Sequence, residues 1–137
     1  MSLSRIDFQA IARTRAKEAG VLAKAGEQQG AYYLAGYAIE CALKACIAKK
    51  IKKHMFPDKS FANRVYTHDL EVLLQESGLE AQLEADMKLN PGLAANWITV
   101  KVWSESSRYS TSALAGIDLH SAVSGPDGVL RWIKKAW

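Results

Sequence analysis

The sequence predicts an all-α protein, an antiparallel (up-and-down) bundle of about five helices formed as a single domain over residues 1–137. Three observations lead there. The segment from Ala31 to Ala48 is apolar or small on nearly every side, with charge only at Glu40 and Lys44, so it reads as a buried central helix. Apolar residues elsewhere recur at helical spacing. No two-residue alternation, internal repeat or low-complexity tract interrupts that pattern.

Each element follows from its own residues. A first helix spans about Ser4 to Gln28, with Phe8, Ile11, Ala12, Arg15, Ala19 and Leu22 on one face and Arg13 and Lys17 among the exposed positions. Gly26 to Gly30 forms the turn into the second helix, which runs from about Ala31 to Lys53 and is stopped by Phe56, Pro57 and Asp58. The polar stretch from Pro57 to Thr67 reads as an irregular loop over one end of the bundle. A short helix starts at Thr67 or His68, turns Leu70, Leu73 and Leu74 inward and ends at Gly78. Leu79 to Leu89 forms another short piece before Asn90, Pro91 and Gly92. Leu93, Trp97, Val100 and Trp103 then give an apolar stripe to about Ser104. After a polar break holding Arg108 and Tyr109, the last helical region begins near Thr111, with Leu114, Ile117 and Ala122 inward. An interruption is expected at Ser124-Gly125-Pro126, before Val129, Leu130, Trp132 and Ile133 complete the region.

Composition narrows the function. The formal charge is +4 with a pI near 9.1, and the cations cluster: Lys49, Lys50, Lys52, Lys53 and His54 at the end of the second helix, Arg131, Lys134 and Lys135 near the C-terminus. Such clusters either complement helix dipoles or offer sequence-independent contacts to phosphate. Cys41 and Cys46, five apart on one helix, point to different sides and read as buried free thiols of a reducing compartment. With no export signal at the N-terminus, a cytoplasmic location is expected, and the charged pair in the apolar helix argues against a membrane span. Histidines at 54, 68 and 120 and the two cysteines make no metal-ligand spacing, and no glycine-rich phosphate loop occurs, so neither metal nor cofactor is indicated.

The charged residues of the central helix define the candidate site. Tyr33, Tyr37, Glu40 and Lys44 follow helical spacing and share one stripe. The stripe reads either as a structural ion pair flanked by packed phenols or as the lining of a polar groove that binds a ligand. His68 reads as a helix-start residue or a general base. Arg108 reads as the partner of a carboxylate such as Glu40 or as a phosphate ligand, and Tyr109 as a wedge between helices or part of the same cleft. The small residues Gly30, Ala31, Ala35, Gly36, Ala38, Ala42 and Ala45, with four tryptophans gathered in the second half, predict a homodimer.

Taken in order, the run Ala31-Tyr-Tyr-Leu-Ala-Gly-Tyr-Ala-Ile-Glu-Cys-Ala-Leu-Lys-Ala45, then His68-Asp-Leu, Arg108-Tyr109 and the tail Gly128-Val-Leu-Arg-Trp-Ile-Lys-Lys135 resembles the HEPN domains (higher eukaryotes and prokaryotes nucleotide-binding). The resemblance implies a dimeric bundle of about five helices from toxin–antitoxin or defence systems, often found beside a nucleotidyltransferase. Some members of the family are metal-independent ribonucleases and others only bind. The ribonuclease members carry an Arg, four to six residues and a His. Here Arg64 and His68 have only three residues between them, Arg108 has no His in the window after it, and His54 and His120 follow no suitably spaced Arg. The expectation is therefore a non-catalytic module that binds a nucleotide, RNA or a partner nucleotidyltransferase through Tyr33, Tyr37, Glu40, Lys44, Arg108 and Tyr109, with His68 supporting the cleft. The alternatives are a ribonuclease toxin using His68 and Arg108, and a subunit whose surfaces serve assembly alone.

Overall fold

The computed structural model describes residues 3–51 and 59–137. Lys52, Lys53 and His54 of the expected basic helix end, and the expected stop at Phe56, Pro57 and Asp58, lie outside the described residues. Among those described, eight α-helical segments and one 3-10 turn follow one another with no strand. They are α1 (Arg5–Lys24), α2 (Gln28–Lys50), α3 (Lys59–Val65), α4 (Leu70–Ser77), α5 (Glu80–Leu89), α6 (Pro91–Lys101), the 3-10 turn (Glu105–Tyr109), α7 (Gly116–Ser124) and α8 (Val129–Lys134). None of the described helices is long and apolar enough to cross a membrane.

The helical class is as the sequence predicts, but the chain is more finely divided than about five helices. The segment expected to be an irregular loop carries α3, two turns that bury none of their residues. The last region is interrupted at Ser124–Gly125 as expected, but its first helix starts at Gly116 rather than near Thr111. Its inward face is made by Gly116, Leu119, Ala122 and Val123, so Ala122 is buried as expected while Ile117, expected inside, is 49% exposed.

Capping explains several boundaries. Ser4 and Asp7 form a reciprocal box at the start of α1, and the Ser4 backbone N–H holds the Asp7 carboxyl below its usual pKa. Asn90 caps α6 by accepting from the Leu93 N–H at 3.1 Å, with Pro91 at the first helical position. Asn96 donates to the carbonyls of Pro126 and Asp127, tying the α7–α8 turn to α6.

The central element is α2, as its composition requires. It buries residues all round its circumference, from Ala31 to Ile47. The tight turn after Lys24 folds α1 back antiparallel along it. At the far end Arg5 of α1 and Lys49 of α2 both donate to backbone carbonyls of the C-terminal tail, at Trp137 and Ala136. The remaining circumference is covered by α4, α7, α8 and the 3-10 turn. The small residues of α2 are used within the chain. Ala31, Ala35, Ala38, Ala42 and Ala45 are fully buried, and a Cβ on Gly36 would lie 2.2 Å from the Trp103 ring. Only glycine admits that flat approach, so these positions give no independent argument for a second copy.

Cys41 and Cys46 are free and buried, as expected. Burial pushes the Cys41 thiol up to about 12 and the Cys46 thiol up to about 11 from an ordinary value of 9.0. Two outcomes follow. A thiol reagent at neutral pH should label neither cysteine until the protein is unfolded in denaturant. Below about pH 9 the thiols are protonated in folded and unfolded chains alike and contribute no pH dependence. Between about pH 9 and 11 the unfolded chain releases protons that the folded one retains. This part of the stability should therefore fall as pH rises through that window, which urea unfolding at stepped pH would measure.

A buried carboxylate network as the candidate functional site

Spacings of four, three and four residues place Tyr33, Tyr37, Glu40 and Lys44 on one stripe of α2, and the 3-10 turn packs on that helix. Glu40 is 2% exposed. Its carboxylate accepts from Lys44 Nζ at 3.3 Å and meets His68 Nδ1 at 2.7 Å. The other ring nitrogen, His68 Nε2, lies 3.4 Å from Glu105 Oε2, and Glu105 Oε1 lies 2.6 Å from Arg108. Five side chains thus link across three segments, with each carboxylate between two nitrogen-bearing groups: Lys44, Glu40, His68, Glu105, Arg108. An imidazole with one N–H donates to one of these carboxylates, and an imidazolium donates to both.

Local structure aims His68. The sequence expects it to start a helix, but α4 begins at Leu70 with Asp69 as its cap, accepting from the Glu71 and Val72 N–H groups at 3.0 and 3.2 Å. Thr67 Oγ1 in turn accepts from the Asp69 N–H at 3.2 Å. This turn holds His68 just outside the helix, where its ring can reach down to α2. Ser104 shapes the other arm by accepting from the Ser106 N–H at the start of the 3-10 turn.

The aromatic half of the stripe is equally engaged. Tyr33 stacks on Trp103 at 6.2 Å between centroids and leans on Tyr37 at 5.9 Å. Its hydroxyl bonds the Arg108 guanidinium, the largest of the contacts that raise that group further above its usual pKa. Burial pushes the Tyr37 phenol up, helped by the neighbouring Cys41, Glu40 and Tyr33. Tyr109 is no wedge between helices. It is 74% exposed and lies beneath the Arg108 guanidinium, 4.8 Å from the ring centroid.

The structure therefore brings Tyr33, Tyr37, Glu40, Lys44, His68 and Arg108 into one contiguous assembly, with Tyr109 at its outer edge. Arg108 is the partner of a carboxylate, as one reading of the sequence has it, but the carboxylate is Glu105 rather than Glu40. Arg64 donates to Glu76 at 2.7 Å and to Ser60. Glu105 is the residue that sequence reasoning missed. The signal was present, a carboxylate three residues before an arginine, but only as a local pair.

Beside His68 opens a cleft of about 430 Å³, bordered by Asp69, Glu71 and Glu105 against Lys101 and the His68 ring. Trp103 also lines it, and its buried indole N–H has no hydrogen-bond partner among the described residues. The acid excess makes this cleft a poor seat for phosphate and a better one for a cationic group. Lys44, on the other side of the network, borders a second depression of about 540 Å³ with Phe8, Ile47, Val65 and Tyr66. Among the described residues no group of three or more His, Cys, Asp or Glu is placed to hold a metal ion.

The fold and site define a helical domain with a buried charge network at one face. No protein-family model matches the chain, and no curated protein or solved structure is significantly similar to it.

Glu40→Ala would strip the half-exposed His68 ring and the part-buried Lys44 of the buried carboxylate they share. Urea unfolding should show a loss of about 1–3 kcal/mol. The 3-10 turn should loosen with it, seen as faster amide exchange at residues 105–109. An unchanged midpoint would show that the network contributes no stability.

Proposed function

We propose that this chain is a HEPN-like helical binding module without catalysis of its own, acting as a homodimer in a toxin–antitoxin or defence-type system of the cytoplasm. The observation that supports this best is the engagement of His68 and Arg108. Metal-free RNA cleavage needs a base for the 2′-hydroxyl proton and a cation for the phosphorane charge. Here both His68 nitrogens face carboxylates and Arg108 is tied to Glu105, with Asp69 and Glu71 beside them. The sequence departs from the family's Arg–His spacing in the same sense.

Lys44 is likewise occupied by Glu40, so the network residues suit support of a surface better than direct contact with phosphate. That favours a protein partner at this face. Its acid-lined cleft accepts basic side chains, and exposed Tyr109 under Arg108 has the composition of an interface anchor. A nucleotidyltransferase is the partner class that the resemblance suggests, and the nucleotide or RNA role belongs to a more basic surface. The buried free thiols fit a reducing compartment.

Incubating the metal-free protein with total RNA, beside His68→Ala and Arg108→Ala, tests the catalytic alternative on a gel. Intact RNA in all three is expected, whereas cleavage lost in both variants would establish the ribonuclease reading instead. Light scattering at micromolar concentration should return twice the 15.1 kDa chain mass. A monomer there would remove the dimer.

A further inference from the structure

On a different face, a groove of about 600 Å³ runs between α1 and the α7–α8 pair. Arg13, Lys17 and Lys24 of α1 and Lys134 of α8 border it, His120 lies within it, and none of its lining residues is a carboxylate. All four cations are exposed, and among the described residues no carboxylate pairs with any of them. Glu18, the acid nearest in sequence, is engaged by Arg15. The floor is apolar, made by Ala16, Gly20, Val21 and Leu130. A Cβ on Gly20 would come within 2.9 Å of His120 Nε2, so a glycine inside α1 lets the imidazole lie against the helix. Trp137 continues the groove, with Arg13 4.8 Å and Lys134 5.7 Å from its ring centroid.

We propose that this groove binds single-stranded nucleic acid, the backbone following the α1 cations and a base resting on the apolar floor or on Trp137. Arg13 and Lys24 are eleven residues apart, about 16 Å along the helix axis, too far for one phosphate to meet both and suited to successive phosphates of a strand. A row of cations beside an aromatic ring and an apolar floor is the arrangement that holds unpaired bases without reading their sequence. The proposal rests on the nucleotide or RNA part of the reading above, and gives that ligand a surface separate from the Glu40 network.

The test is fluorescence anisotropy of a labelled oligouridylate titrated with the full chain over a range of salt. Lys17→Glu combined with Lys24→Glu should weaken binding about tenfold or more and reduce the salt slope by about 1.4, at about 0.7 per lost cation. Lys59→Glu combined with Lys88→Glu, an equal change of net charge on α3 and α5, should weaken it by less than about threefold. Equal losses from the two pairs would overturn the groove while leaving nucleic-acid binding in place. No anisotropy change with the unaltered protein at low salt would overturn both. ATP competing as well as an unlabelled oligouridylate of equal phosphate content would replace the strand by a single nucleotide.

Discussion

The interaction on which the rest of this structure depends is the burial of Glu40. A carboxylate that is 2% exposed in the middle of the most buried helix loses its water, at an effective cost of several kcal/mol, and must recover it from partners. Lys44 supplies one from the same helix. The other comes from His68, outside any helix, and through it Glu105 and Arg108 are drawn in. The 3-10 turn buries none of its own residues, so apolar packing does little to hold it. It is held by charge at Glu105 and by the flat seating of the preceding Trp103 on Gly36. One buried carboxylate thereby fixes two polar segments that have little core of their own.

This explains what was legible in the sequence and what was not. The stripe Tyr33, Tyr37, Glu40, Lys44 could be read because its geometry is internal to one helix. The helix start at Ser4, and the inward leucines of α4, could be read for the same reason. Which partner meets which charge depends on how separate segments approach α2, and no spacing encodes that. The sequence therefore offers Arg108 a carboxylate partner without specifying which one, and Glu105 goes unnamed. α3 gave no signal because it buries nothing. The small residues of α2 were legible as sites of close approach, but closeness within a chain and closeness between chains leave the same pattern. Ala31, Ala35 and Gly36 are satisfied inside the protomer.

The formal charge of +4 conceals a segregation. Around His68 the cleft carries Asp69, Glu71 and Glu105 against Lys101 and the His68 ring, while the α1 groove carries four cations, His120 and no acid. Clustering by sequence found only part of this, because Arg13, Lys17 and Lys24 are spread along α1 and meet Lys134 only in the folded chain. A mildly basic average thus conceals two surfaces of opposite character.

That segregation bears directly on chemistry. A phosphate approaching His68 and Arg108 would meet neighbouring carboxylates before it met a free cation, and binding there would first have to break the Glu105 pairs. A strand in the α1 groove breaks no ion pair among the described residues, since no carboxylate there meets its cations, two of which lie against the Trp137 ring. Binding without that penalty favours the groove for a polyanion, and the same reasoning favours the His68 cleft for a basic protein surface, where added cations reinforce Glu105 and Asp69 instead of competing with them. The two ligand classes are then matched to different elements of the bundle, and occupation of one surface leaves the residues of the other untouched.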